Sequence, residues 1–289
     1  MKYITIAELS ETIRKNLWKI PHDIDFIVGV PRSGMIAASM IASFLNVPLI
    51  DINSYLAGLP PYGGSRLHFF LKSHVNSNKV LVVEDTVSTG GSLARAKKRL
   101  VDSGKPYEFI SLCVYLEGKS FYPPDLYLED VRKYTNNFTD CVYYEWNLLQ
   151  HYLIPECLFD IDGVLCVDPP DERDEEKYIE YIKNATPLFI PRATIGGLIT
   201  YRLIKNKEIT QEWLKNNGIT YKELSMFKAD SWEERNSMNI PPEVFKGEYY
   251  KANPKFKLFV ESNDHQAQRI YEISGKPVYC VETNKIYQN

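Results

Sequence analysis

The sequence predicts an α/β fold made of two open, doubly wound parallel-sheet domains, residues 1–150 and 151–289. Three observations point there. Apolar runs of strand length alternate with helix-length amphipathic stretches, two of those runs lead into small-residue loops that open a helix, and after Pro155 the alternation starts again. With 289 residues, 44% hydrophobic and 25% charged, composition is that of an ordinary globular protein with room for two cores.

Thr5 and Glu8 form a capping box ahead of Leu9, Ile13 and Leu17, which predicts a helix over 5–18. A buried strand at 24–30, broken only by Asp25, leads into Gly29-Val30-Pro31-Arg32-Ser33-Gly34, a helix at 35–45 and a strand at 47–52. Residues 54–78 carry Gly58, Pro60, Pro61, Gly63 and Gly64 without periodicity and are expected to be a long mobile loop or hairpin. A second buried strand, 80–83, runs into Glu84 and Asp85, then a helix at 93–100 and a strand at 109–115. Residues 117–150 are aromatic and read as irregular.

In the second half strands are expected at 157–161, 195–200, 224–227, 258–260 and 278–281. Helices are expected at 171–184, 206–217 (closed by Gly218) and 266–274. The acidic run 168–176 reads as a solvated helix start, where the helix dipole favours negative charge.

Composition also excludes classes. A formal net charge of −3, with no basic run longer than Lys97-Lys98-Arg99, leaves no electrostatic footprint for nucleic acid. No apolar run reaches the roughly 18 residues of a membrane span. The acid-bearing, amphipathic start is neither a signal nor a transit peptide, so a cytoplasmic protein is expected. Cys113, Cys141, Cys157, Cys166 and Cys280 form no C-x-x-C pair, which argues for reduced, buried thiols.

The stretch after the second strand has a specific physical use. Small residues let successive backbone N–H groups converge, and a helix N-terminus faces them with about half a positive charge, so a phosphate monoester fits. Two acids at a strand's end can accept hydrogen bonds from vicinal sugar hydroxyls. Val80 to Ser92, VLVVEDTVSTGGS, resembles the thirteen-residue fingerprint of the type I phosphoribosyltransferases, and the loop from Val30 to Gly34 resembles that family's pyrophosphate loop. The resemblance implies that Thr86, Val87, Ser88, Thr89, Gly90, Gly91 and Ser92 hold the 5-phosphate of phosphoribosyl pyrophosphate (PRPP). Glu84 and Asp85 would hold the ribose hydroxyls, Arg32, Ser33 and Gly34 would meet the pyrophosphate, and Arg66 or Lys72 would neutralise it from the catalytic loop. Mg²⁺ would bridge pyrophosphate and ribose oxygens. No motif names the base, whose contacts would come from residues 1–25 and 117–150.

In the second half Asp160-Ile161-Asp162-Gly163 ends a buried strand with two carboxylates that can share Mg²⁺ while one attacks phosphorus and the other handles a proton. This stretch resembles the first motif of haloacid dehalogenase (HAD) superfamily phosphatases. That resemblance implies a Rossmann-like core in which Thr200 binds the phosphoryl group and Glu261 completes the metal shell with Asp160 and Asp162, helped by Asp264. For the third-motif lysine Lys246 fits the usual placement better than Lys251, where Pro254 would break a helix. Intervals between the motifs leave no room for a large cap.

The two resemblances together imply a bifunctional enzyme of nucleotide metabolism. It would transfer a phosphoribosyl group to or from a nitrogenous base and hydrolyse a phosphate monoester, with PRPP, a base or nucleotide and a phosphate monoester as its small-molecule substrates. A homo-oligomer is implied by the first resemblance. The alternative is a non-catalytic PRPP or nucleotide sensor that regulates the phosphatase.

Overall fold

The structure is a computed structural model that describes residues 2–64, 77–134, 142–169 and 174–288. It divides into two compact units, Met1–Asn147 and Leu148–Asn289.

The first unit runs β1 (Lys2–Ile4), α1 (Ile6–Asn16), β2 (Phe26–Gly29), α2 (Gly34–Leu45), β3 (Leu49–Asp51), α3 (Ile52–Leu56), β4 (Lys79–Val87), α4 (Gly91–Asp102), β5 (Glu108–Leu116), β6 (Leu126–Asp130) and β7 (Val142–Tyr144). Its main sheet is parallel, in the order β3-β2-β4-β5-β6, while β1 and β7 pair separately. The alternation of β4 explains why both faces are covered. Leu81 and Val83 pack into a core with Leu9 and Ile13 of α1 and Ile41 of α2, and Val80 and Val82 into another with Leu93 and Leu100 of α4. The capping box of α1 forms as read: Thr5 Oγ1 accepts from Glu8 N at 3.1 Å and Glu8 Oε2 accepts from Thr5 N at 2.9 Å.

Two local expectations change. The second buried strand continues to Val87 because Tyr115 and Leu116 of β5 extend the ladder opposite Thr86 and Val87. Within 117–150, read as irregular, lie β6 and β7.

The second unit runs β8 (Cys157–Phe159), α5 (Glu175–Asn184), β9 (Gly197–Leu203), α6 (Lys207–Asn216), β10 (Leu224–Phe227), α7 (Trp232–Ser237), α8 (Pro242–Ala252), β11 (Leu258–Glu261), α9 (Asp264–Ser274), β12 (Val278–Cys280) and β13 (Lys285–Tyr287). Its sheet order is β10-β9-β8-β11-β12-β13, parallel except for β13. β8 therefore lies between β9 and β11, and the C-terminal ends of these three strands meet at one edge, where open α/β sheets place ligands. No helix among the described residues is long and apolar enough to cross a membrane.

Candidate functional sites at the two sheet edges

In the first unit the two predicted loops follow neighbouring strands, β2 and β4, which pair Gly29 with Val83. Their approach needs glycine: a Cβ on Gly34 would lie 2.9 Å from Val83 O and 3.1 Å from the Glu84 Cα. Gly90 adopts φ +83° just before α4, and a Cβ there would fall 2.0 Å from Tyr122 O. Both Phe121 N–H and Tyr122 N–H donate to Thr89 O, which ties the turn to the 117–122 segment.

Asp85 joins the two loops. Its Oδ1 accepts from Ser33 Oγ at 2.9 Å and its Oδ2 from Trp146 Nε1 at 2.6 Å. Glu84 is buried beside it, with Oε2 unpartnered; burial first, and the Asp85 charge second, push its carboxyl up to about 9. Thr86 and Val87 belong to β4, with the Val87 side chain in the core, so the turn itself is Ser88 to Gly90, opening into Gly91 and Ser92 of α4. Arg32, Ser88, Thr89 and Ser92 are respectively exposed around it, except that Ser33 is half-buried and Gly34 and Gly90 are buried. Arg66 and Lys72 lie outside the described residues.

Two residues at this edge carried no motif. Trp146 follows β7 and reaches back to Asp85, and Glu117 follows β5, accepting from Tyr144 OH at 2.9 Å. The aromatic composition of 142–146 was the only signal for either.

In the second unit Asp160 directly follows β8, and Glu261 ends β11. Lys246 of α8 lies between them, 2.6 Å from Asp160 Oδ2 and 2.7 Å from Glu261 Oε2, and also donates to Gln266 Oε1 at 2.9 Å. It is 3% exposed. Burial alone would lower the lysine's pKa, but the two carboxylates outweigh it and raise it. Lys251, on the same helix, is exposed.

Asp162 is held differently. Arg202 Nε donates to its Oδ2 at 3.0 Å and Nη2 to its Oδ1 at 2.6 Å, while Tyr181 OH donates to Oδ1 at 2.7 Å. Burial pushes the Asp162 carboxyl up, yet the Arg202 guanidinium overcomes this and holds it below the usual carboxylate range. Thr200 Oγ1 lies 3.5 Å from Asp162 Oδ2. Arg202, missed in the sequence, stands two residues after Thr200 on β9, so period-two geometry puts both on one face.

Asp264 is not brought to this group. It opens α9 and its carboxylate accepts instead from Thr283 Oγ1 at 2.8 Å and Tyr287 OH at 2.6 Å. A cavity of about 570 Å³ is lined by Asp160, Asp162, Asp168, Lys246, Glu261 and Asn263, among others. Hard oxygen donors of this kind suit Mg²⁺. Asp160 and Glu261 are the carboxylates that fit it: each gives one oxygen to Lys246 and keeps the other on neutral donors only, Asp160 Oδ1 on Ile161 N and Glu261 Oε1 on Ser262 and Asn263, whereas the Arg202 guanidinium grips both oxygens of Asp162. Among the described residues no group of three or more His, Cys, Asp or Glu is assembled to hold a metal.

A family model described as the phosphoribosyl transferase domain matches residues 2–147. The chain is 33% identical over 96 residues to an orotate phosphoribosyltransferase of Sulfurisphaera tokodaii, covering 33% of this chain and 46% of that protein. It is 23% identical over 116 residues to an adenine phosphoribosyltransferase of Synechococcus sp., covering 36% of this chain and 66% of that protein. The chain thus spans less than two thirds of the length of these curated relatives, and about half in the case of the first. Among solved structures it is similar to a purine phosphoribosyltransferase from Pyrococcus horikoshii, at 22% identity and TM-score 0.35, over 50% of this chain and 92% of that one. The matched segment holds both loops and both acids of the first sheet edge and takes in half of the sequence, and on that match the chain belongs to the phosphoribosyl transferase domain family.

Proposed function

We propose that the first unit transfers a phosphoribosyl group between PRPP and a nitrogenous base, and that the second is a Mg²⁺-dependent HAD-type phosphatase acting on a phosphate monoester. The observation that carries the first half is Asp85, which receives one hydrogen bond from each side of the site while Glu84 beside it keeps an open oxygen. Vicinal ribose hydroxyls have the donor that the open Glu84 oxygen lacks. Substitution at the anomeric carbon then breaks the bond to pyrophosphate as the base nitrogen bonds to carbon and gives its proton to solvent, with Arg32, Ser33 and Gly34 proposed to receive the departing oxygens. Bound Mg²⁺ would spread that developing charge.

In the second unit the arrangement supports an aspartyl phosphatase. Asp160 attacks phosphorus, the ester oxygen leaves, and water later attacks the acyl phosphate so that the aspartate is regenerated. Lys246 balances one of the two charges on Asp160 and Glu261 and so weakens their repulsion toward a phosphoryl group. The departing ester oxygen takes a proton from solvent and the attacking water returns one to it, while Asp162, both of whose oxygens accept from Arg202, holds that guanidinium beside the site. Mg²⁺ held by Asp160 and Glu261 would screen the phosphoryl group.

The alternative is a sensor that binds PRPP at the same edge without transferring it. Incubation of the full chain with PRPP, Mg²⁺ and pooled purine, pyrimidine and pyridine bases, with mass spectrometry of all products, decides between them. A new nucleotide or nucleoside supports transfer, and its phosphate content reports on the second unit. Bound PRPP with no glycosidic product would replace transfer by sensing.

A further inference from the structure

Three carboxyls gather at the C-terminal edge of the first sheet, and the proposed chemistry uses only two of them. Glu117 stands immediately after β5, its N–H donating to Val87 O at 2.9 Å, so it is fixed beside the start of the phosphate turn. Its Oε2 accepts from Tyr144 OH at 2.9 Å, and Oε1 has no hydrogen-bond partner among the described residues. Glu84 is 9% exposed and its Oε2 is buried without a partner. Neither glutamate, nor Asp85 between them, has a salt bridge among the described residues. Burial raises the pKa of both Glu84 and Glu117, and the Asp85 charge adds to the rise in each.

Next to these acids stands an aromatic wall. The Trp146 ring lies 5.0 Å from that of Tyr144 and stacks on Tyr115 at 6.5 Å, and Trp146 is itself half-exposed. Its indole N–H is spent on Asp85, so what it offers a ligand is a flat π surface.

We infer that the base handled at this edge is a nitrogen heterocycle presenting N–H donors, an amino-substituted purine or pyrimidine, and that Glu117 Oε1 receives one of those donors. This rests on the phosphoribosyl-transfer reading of the first unit. With the ribose hydroxyls taken by Glu84 and Asp85, Glu117 is the one of the three carboxyls left with an open oxygen beside the wall on which a planar ring would stack. A base bearing a carboxylate would bring a fourth acid to three carboxyls that have no paired cation among the described residues. Arg32, the described cation of the predicted site, is exposed on the other loop. A site built around open acceptors discriminates strongly for donor-bearing ligands, because an unmatched buried polar group is left unpaired when the donor is missing.

The test uses the full chain with PRPP and Mg²⁺, comparing initial rates for adenine, guanine and cytosine against orotate and nicotinate, with PRPP affinity measured separately by calorimetry. An amino base should be consumed with at least about tenfold higher kcat/KM than either carboxylated base, the scale of one charge-assisted hydrogen bond. Glu117→Gln should raise KM for that base about tenfold, with kcat and PRPP affinity little changed. Preferred use of orotate or nicotinate overturns the inference, as does an unchanged KM in Glu117→Gln. PRPP binding without consumption of any base, or no PRPP binding at all, overturns the phosphoribosyl-transfer reading together with it. Because the base panel is run on the unsubstituted protein, an unstable variant does not remove the test.

Discussion

Arg202, 1% exposed, grips Asp162 through Nε and Nη2 across forty positions of sequence, at 3.0 and 2.6 Å. A guanidinium this deep is held by its partner rather than by water, and the partner is held in turn. Removing one member of a buried pair leaves the other charged and uncompensated, which costs about 3–5 kcal/mol. Arg202→Ala should therefore destabilise the second unit by that order, read as a lowered denaturation midpoint. Arg202→Lys should recover only part of it, because an ammonium cannot reproduce the two-pronged contact. If Arg202→Ala unfolds at the same denaturant concentration as the parent, the ion pair is not what secures this strand edge.

Glu84 gives the first unit a pH dependence of definite sign. Its carboxyl ordinarily titrates near 4.5 and in the folded state is pushed up to about 9, chiefly by burial. Between those values the folded protein binds more protons than the unfolded chain, so its contribution to stability is complete below about 4.5 and is lost as pH rises toward 9. The slope from this one group approaches about 1.4 kcal/mol per pH unit. Glu84→Gln, neutral at every pH, should flatten the dependence and raise stability near pH 8. Equal slopes in parent and variant, measured by denaturant unfolding at pH 6, 7 and 8, would remove Glu84 as the source.

How much of this could be read beforehand differs residue by residue. Asp85 and Ser33 stood in two separate motifs, and the loops they belong to follow adjacent parallel strands because the strand, loop, helix pattern was plain. Arg202 was overlooked although it stood two residues from Thr200. An arginine near a strand's end reads as a solvated charge, and only the approach of Asp162 from the neighbouring β8 turn makes it a buried one. α8 was not read as a helix because Pro241, Pro242 and Gly247 obscure its weak amphipathic pattern; it nevertheless ends at Ala252, before Pro254, and carries Lys246 inward. Nothing in the sequence around Asp264 shows where its carboxylate goes: it belongs to a helix's first turn, and the hydroxyls that capture it come from the C-terminal hairpin. Glu117 and Trp146 had no motif at all, since their roles come from strand ends that meet only in the folded sheet.

Gly90 should be among the least replaceable residues of the first unit. A side chain there meets a positive φ of 83° and the carbonyl of Tyr122 at once. Left-handed strain alone costs about 1–2 kcal/mol for a non-glycine residue, and a backbone oxygen cannot swing aside as a flexible side-chain end would. Gly90→Ala should displace the Ser88 to Ser92 turn from the 117–122 segment and weaken PRPP binding by tenfold or more, on the order of 1.4 kcal/mol. Calorimetric titration with PRPP checks this, and unchanged affinity would mean that the turn does not hold the phosphate. Gly104→Ala offers a control, since that glycine also has positive φ, 68°, but a Cβ there meets nothing within 4 Å.

In the proposed phosphatase Asp160 is the nucleophile, and its surroundings make a clean substitution available. Asn matches Asp in shape, and Lys246 keeps Glu261 Oε2 at 2.7 Å and Gln266 Oε1 at 2.9 Å when the Asp160 charge is removed. Asp160→Asn should thus retain the fold while losing the atom proposed to attack phosphorus. Phosphate release from para-nitrophenyl phosphate with Mg²⁺ should fall by on the order of 10³-fold or more, as when a nucleophile is deleted from a concerted group. Binding of PRPP should be unaltered, because Glu84, Asp85 and the turn after them belong to the other unit. The two measurements on one variant separate a lost nucleophile from a damaged protein. Phosphate release that survives alongside intact PRPP binding would show that Asp160 does not attack, and the geometry would then leave Asp160 and Glu261 as the two carboxylates that hold Lys246 in place.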